Sequence, residues 1–205
     1  YKRQIFNNTY SDVIIKKKIN LKKIYNLEYD QRTKLKVYSD LKKKGKYTIN
    51  LISSQIDDLY TLSGISNMNT IYCNESGFYS IYKSDRYGFN NPDKEWEKKN
   101  INYLLIGDSY AQGACVNRPN DIASVIRNIS KKGVISIGFD NNGPLTELAT
   151  LREYNIPNVK NVIWLYYEGN DFDDLYRELE NKILNKYLVD LSFKQNLTLS
   201  ILSVA

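Results

Sequence analysis

The sequence contains no histidine, only two cysteines and no long apolar segment, and each shortage excludes a class of protein or site. No apolar run approaches the roughly 18–20 residues that cross a bilayer, so we expect no transmembrane helix. No signal-peptide pattern is visible either. Because residue 1 is tyrosine rather than methionine, we expect a preceding segment, and the missing targeting signal therefore excludes little.

Metal chemistry is the second exclusion. Without histidine, and with two cysteines far apart in the sequence, the chain lacks the ligand sets of common metal sites. We predict neither a metal nor any other cofactor. The remaining composition is that of an ordinary folded chain, with 42% apolar and 25% charged residues among 205, enough for one domain and an appendage.

Positive charge is concentrated near the amino terminus. The net charge is +6, and lysines dominate "IIKKKINLKKIY" (14–25) and "DQRTKLKVYSDLKKKG" (30–45). These lysines can form a solvated face, or they can contact anionic lipid or acidic glycan. A membrane contact could also come from a segment preceding residue 1. No motif indicates nucleic acid, so we predict no nucleic-acid partner.

The second basic stretch predicts a short helix. Asp30 can cap its first turn, and Gly45 can end it. Leu35, Tyr38 and Leu41 fall on one face of such a helix.

Residues 47–100 are rich in turn-forming residues, with short apolar pieces between them. Aromatic side chains recur through this region, so we predict an irregular layer that packs on a core rather than a free linker. The aromatic residues are Tyr72, Phe78, Tyr79, Tyr82, Tyr87 and Phe89.

From residue 101 the pattern changes to apolar strands that alternate with amphipathic helices. This alternation predicts an α/β fold with a parallel sheet that is covered on both faces. The predicted strands are 102–107, 134–139 and 161–169, and the predicted helices are 120–133, 144–154 and 173–188.

Ligands of such sheets bind beyond the carboxyl ends of the strands, which makes the following loops informative. These loops are 107–109, 140–143 and 168–171. Ser109 offers a hydroxyl at a strand-to-helix turn, and Asn170 offers a side-chain amide. Together with backbone N–H groups they form a candidate nucleophile and oxyanion hole. Taken singly, each residue is equally typical of a turn or a helix cap.

The order of these motifs resembles the SGNH hydrolases, also called GDSL-type esterases. "IGDSYAQG" resembles the first block, with Ser109 as nucleophile, and "YYEGNDF" resembles the third, with Asn170 in the oxyanion hole. "ISIGFDNNGPL" resembles the second, which contributes a glycine N–H. The family glycine falls on Asn141 by spacing, and we predict Gly143 as the donor. Asp108, Asn141 and Asp171 are secondary candidates.

The resemblance implies a three-layer α/β/α flavodoxin-like fold over residues 84–205, preceded by an irregular N-terminal region over residues 1–83. "SDRYGFNNPD" (84–93) resembles a segment found in bacterial envelope members, where Asp85 would be a local cap and Phe89 a core residue. The implied activity is hydrolysis of small acyl esters, including O-acetyl groups of glycans. The implied location is the bacterial envelope or periplasm, with the cytoplasm as the alternative.

The family's Asp-x-x-His block is missing, so the serine has no recognisable base. One explanation is that Asp and His follow residue 205 in a longer chain. Another is a non-catalytic domain that binds an ester or a carbohydrate. A third is transfer of the acyl group to a sugar hydroxyl instead of water. Asp171 or Glu168 could replace the histidine only with a raised pKa.

The two cysteines have two interpretations. Cys73 and Cys115 can be ordinary buried thiols. Alternatively, they can form a disulfide in an oxidising compartment and fasten the turn-rich layer beside the strand ends. Closing a loop of about 40 residues could contribute roughly 3–4 kcal/mol.

Overall fold

The computed structural model of the chain describes residues 29–154, 156 and 158–198. Over these residues it is a mixed α/β structure with six α-helices and three small sheets, one of which is fully parallel. The lysine-rich stretch 14–25, and with it part of the predicted lipid or glycan contact, lies outside the described residues.

Residues 29–83 form a layer that contains more regular structure than the sequence predicts. Strands β1, β4 and β5 make one sheet, in which β1 and β4 are parallel and β4 and β5 antiparallel, and β2 and β3 pair as a hairpin. The elements are α1 (Lys34–Leu41), β1 (Tyr47–Ile49), β2 (Gln55–Ile56), β3 (Leu59–Tyr60), β4 (Asn69–Ile71) and β5 (Ile81–Lys83).

Helix α1 differs from its prediction in its cap. Thr33, not Asp30, caps it, because the Thr33 hydroxyl accepts a hydrogen bond from the Lys36 N–H at 3.2 Å. Asp30 instead binds the Arg32 side chain. Val37 is the buried residue of the helix, whereas Leu35 is 70% exposed, so the apolar spacing alone does not identify the buried residue.

The parallel sheet has β6 at its centre, in the order β7-β6-β8, with Gly107 opposite Leu165 at the end of the ladder. The predicted strands and helices are present with shifted ends, and the predicted helix 173–188 is two helices. The elements are β6 (Ile101–Gly107), α2 (Ser109–Gln112), α3 (Ile122–Ser130), β7 (Val134–Ser136), α4 (Pro144–Glu153), β8 (Val159–Leu165), α5 (Asp171–Glu178) and α6 (Lys182–Val189).

Asn181 separates the last two helices. Its side chain accepts hydrogen bonds from the N–H groups of Ile183 and Leu184, so it begins a new helix. The prediction of one helix over 173–188 overlooked Asn181, a residue that can cap a new helix even though the apolar spacing continues past it.

Each face of the parallel sheet packs against helices. On one face, Leu104 of β6 and Ile135 of β7 belong to a core cluster with Leu145 of α4 and Leu184 of α6. On the other face, Leu105 packs with helix α3. Leu62 and Phe89 belong to the larger cluster, so residues on both sides of position 84 share one core.

Helix α3 contacts the sheet through smaller residues than its apolar spacing predicts. Ala123 is fully buried against the sheet and Ile126 partly buried, whereas Ile122 and Val125 are exposed and Ile129 is 78% exposed. None of the helices in the described part of the chain has the length and apolarity needed to cross a membrane.

Candidate functional site

The loops that follow the three parallel strands lie next to one another. Gly107, the last residue of β6, pairs with Leu165 at the end of β8, and its carbonyl accepts a hydrogen bond from the Phe139 N–H after β7 at 3.2 Å. The rings of Tyr110 and Tyr167 are 5.5 Å apart, which joins the first loop to the third. The predicted convergence of these loops is therefore present.

The first loop places Ser109 at the start of helix α2. Asp108 caps this short helix, because its carboxylate accepts a hydrogen bond from the Tyr110 N–H at 2.9 Å. Burial raises the pKa of Asp108, and the nearby carboxylates of Asp171 and Asp140 raise it further. Ser109 is partly exposed, and none of the described residues hydrogen-bonds its hydroxyl.

Two features hold α2 against the neighbouring loop. Gly138 allows the close approach, since a Cβ atom at this position would lie 2.2 Å from the Ala111 Cβ. Gln112 is buried, and its side-chain oxygen accepts a hydrogen bond from the Asp140 N–H at 2.8 Å. Its side-chain nitrogen donates to Asn50 in the N-terminal layer at 2.8 Å. The layer therefore helps to position the loops.

The second loop does not offer Gly143 as a free donor. The Gly143 N–H donates to the Glu178 carboxylate at 2.7 Å, and Glu178 also accepts from Leu145 and Thr146. This carboxylate caps helix α4 from 35 residues away, which no local pattern could predict. Asn141, the alternative by spacing, has a φ of 64°, the left-handed conformation that glycine favours.

The third loop holds Asn170 and Asp171 in bonded positions. The Asn170 side-chain amide donates to the Asp174 carboxylate at 2.7 Å, so it is engaged. Asp171 is buried and accepts a hydrogen bond from the Tyr167 N–H at 2.6 Å, while its other oxygen has no partner among the described residues. Burial raises the pKa of Asp171.

The structure adds a carboxyl group that the sequence reasoning missed. Glu147 of α4 is buried and accepts a hydrogen bond from the Trp164 indole N–H at 2.6 Å. Burial raises the pKa of Glu147 to about 8, and the charges of Asp171, Asp108 and Glu178 contribute. In the sequence Glu147 is an ordinary acidic residue of a predicted helix. Its burial becomes evident only when β8 packs against that helix. Glu168, weighed above as a base, is exposed.

The two cysteines are joined. A disulfide links Cys73, beyond β4, to Cys115, six residues after Ser109. It fastens the N-terminal layer to the loop that follows helix α2. Over the part of the chain that the structure describes, no group of three or more Cys, Asp or Glu side chains is arranged to hold a metal ion.

Comparison with known proteins does not assign the chain to a family. No protein-family model, curated protein or solved structure matches the chain. Any function therefore has to be argued from the residues at the strand ends.

Proposed function

We propose that the chain carries the nucleophile and oxyanion loops of an SGNH-type serine ester hydrolase. One observation supports this most: Ser109, at the carboxyl end of the central parallel strand, is partly exposed, and its hydroxyl has no hydrogen-bond partner in the described part of the chain. Ligands of open α/β sheets bind at this place. Helices on both faces of the sheet agree with the three-layer flavodoxin-like arrangement that the proposal requires, and residues 84–205 would form this domain.

The developing oxyanion would be held by three donors in this proposal. They are the Ser109 N–H, the Asn141 N–H and the side-chain amide of Asn170, once a substrate oxygen replaces its contact with Asp174. Asn141 takes the place first given to Gly143, because Glu178 occupies the Gly143 N–H; the Asn141 N–H contacts the Asp140 carboxylate, and a substrate oxygen would have to replace that contact as well. Loss of one such donor typically costs about 3–4 kcal/mol of transition-state stabilisation.

The substrates of this proposal are small acyl esters, including O-acetyl groups on glycans. The same serine could pass the acyl group to a sugar hydroxyl, which would make the protein an O-acyltransferase. The Cys73–Cys115 disulfide supports an oxidising location such as the bacterial envelope, because structural disulfides persist outside the cytosol.

The test is labelling by a fluorophosphonate probe, with the modified residue identified by mass spectrometry. We expect slow labelling at Ser109, because no histidine is present to activate the hydroxyl. Ser109→Ala should abolish the label, whereas Ser192→Ala, at an exposed serine outside the three strand-end loops, should not change it. An unlabelled Ser109 in folded protein would count against the proposal.

A non-catalytic binding domain is the second candidate. The missing histidine and the hydrogen bonds that occupy Gly143 and Asn170 favour it. Such a domain would bind an ester or an acylated glycan at the strand ends without turnover. It predicts that acetylated and deacetylated sugars differ in affinity while Ser109→Ala leaves both affinities unchanged, which equilibrium titration can measure.

A further inference from the structure

A groove lies between helix α4 and strand β8, and nothing in the proposed hydrolase mechanism uses it. Its volume is about 220 Å³, below the range of drug-sized sites, so it has room only for a ligand of a few heavy atoms. Its walls are apolar except for one carboxyl group. The residues that matter for the argument are Ile106, Glu147, Leu148, Leu151, Val162 and Trp164.

The one carboxyl group of this groove is incompletely paired. Glu147 is 1% exposed, and the Trp164 indole N–H holds one of its oxygens at 2.6 Å. The other oxygen is buried and has no hydrogen-bond partner among the described residues. Buried polar groups are normally paired, and this unpaired oxygen leaves the carboxyl group free to act on a charge in the groove.

The charges around Glu147 specify that partner. The carboxylates of Asp108, Asp171 and Glu178 act on it and disfavour its ionised form. Among the described residues no lysine or arginine forms an ion pair with Glu147; Arg177, on helix α5, pairs with Asp174 instead. A group that entered the groove would therefore bind best if it carried positive charge.

We propose that this groove binds a small organic ammonium group, with the Glu147 carboxylate as its counter-ion and Trp164 as an aromatic wall. Indole is the side chain that best attracts a cation over its ring. A metal ion is a poorer match, because hard cations need several oxygen ligands and the groove supplies one carboxylate among apolar walls. Trp164 is 57% exposed and Val162 54%, so the groove is open to solvent.

Binding of an ammonium group should be linked to proton release. Burial keeps the Glu147 carboxyl protonated through neutral pH, with a pKa of about 8. The ionised form is the one that attracts a cation. Affinity should therefore rise as the pH rises through 8, by up to tenfold for each pH unit below that value.

The probe is choline, and its matched control is 3,3-dimethyl-1-butanol, which has the same shape without the charge. The indole N–H signal of Trp164, assigned with Trp164→Phe, should move saturably with choline in a nitrogen–proton correlation spectrum. We expect at least tenfold weaker binding of the neutral alcohol, and tighter choline binding at pH 9 than at pH 6. Equal affinity for the two probes, or no movement of the signal, would overturn the proposal.

Four variants sharpen this test. Glu147→Gln should weaken choline binding at least tenfold and remove its pH dependence, whereas Glu168→Gln at an exposed site should change neither. If Glu147→Gln does not fold, Val162→Arg places a fixed cation at the groove mouth and should also weaken binding. Ser109→Ala should bind choline like the unmodified chain, which separates this site from the proposed esterase; choline binding unaffected by either groove variant would refute it.

Discussion

The two edge strands of the parallel sheet, β7 and β8, differ in whether their outward backbone groups are hydrogen-bonded. At the outer edge of β7, the backbone groups of Val134 and Ser136 are paired with side chains of Asn91, Glu95 and Arg127. Along the outer edge of β8, the backbone N–H and carbonyl groups have no hydrogen-bond partner among the described residues. The groove described above is lined by Val162 and Trp164 of β8 and therefore lies beside the open edge.

This difference associates the stability of the sheet with the β7 edge and the capacity to bind with the β8 edge. The covered edge uses buried polar side chains whose partners are all specified, which makes it rigid and intolerant of change. The open edge leaves apolar and aromatic side chains exposed, which is the usual condition of a surface that binds something. Four predictions test the difference, beginning with the largest expected effect.

Among the changes that still allow the protein to fold, removing the side chain that caps the covered edge should be the most damaging. Asn91 is 1% exposed, and its amide pairs with both the N–H and the carbonyl of Ser136, at 2.9 and 2.8 Å. Asn91→Ala leaves both groups buried and unpaired, so we expect a loss of about 3–5 kcal/mol in the free energy of unfolding. Urea denaturation measures it.

The matched control for that change is Asn161→Ala on the open edge. Asn161 is exposed and donates one hydrogen bond to the Asn102 carbonyl at 2.9 Å. We expect a loss of about 0.5 kcal/mol or less. If the two variants lost the same free energy of unfolding, the hydrogen bonds at the β7 edge would not be more stabilising than the one at β8.

Opening the disulfide between the N-terminal layer and the loop after α2 should also destabilise the protein. Cys73 and Cys115 are 42 residues apart, so the chain-entropy model assigns their link about 4 kcal/mol. The double variant Cys73→Ala, Cys115→Ala should lose that amount relative to oxidised protein and should be insensitive to dithiothreitol. Thermal unfolding measures both; unmodified protein that keeps its melting temperature in dithiothreitol would contradict the prediction.

The open side should carry an unusual pH dependence. Because burial raises the pKa of Glu147 from 4.5 to about 8, the folded state holds a proton that the unfolded state releases. The contribution of the Glu147 carboxyl group to the free energy of unfolding is therefore greatest below about pH 4.5. It declines as the pH rises to 8, by at most about 1.4 kcal/mol for each pH unit.

Glu147→Gln isolates that contribution. The variant should lack this decline, and its advantage over the unmodified chain should grow from pH 5 to pH 8 and then stay constant. Urea titrations at several pH values give the difference. Parallel curves for the two proteins would mean that Glu147 ionises normally.

The smallest effect is expected at the edge itself. Val162→Lys replaces an exposed residue of β8, so stability should change by less than about 0.5 kcal/mol while solubility rises. Ser136→Lys, the comparable change on the buried edge of β7, should prevent folding. Light scattering and circular dichroism distinguish the two outcomes, and a strongly destabilised Val162→Lys would show that β8 is covered after all.

Local patterns predicted the strands well, because a continuous apolar run of this length has few other uses. They predicted helix faces less well, since Ile122 and Ile129 have helical spacing but remain exposed, and small Ala123 makes the contact instead. The candidate nucleophile followed from the position of Ser109 after β6. The occupied state of Gly143 did not, because its partner Glu178 is 35 residues away.

The sequence by itself determined the alternation of strands and helices, the parallel sheet that follows from it, and which loops meet at the carboxyl ends of the strands. These are consequences of periodicity and chain direction, which neighbouring residues encode. Tertiary structure alone decided which donors are already bonded, that Trp164 would hold Glu147, and that one sheet edge would be closed and the other open. Each of these depends on polar groups that packing brings together from distant parts of the chain. Because a buried polar group is costly without a hydrogen-bond partner, its partner is determined by the packed structure and not by neighbouring residues.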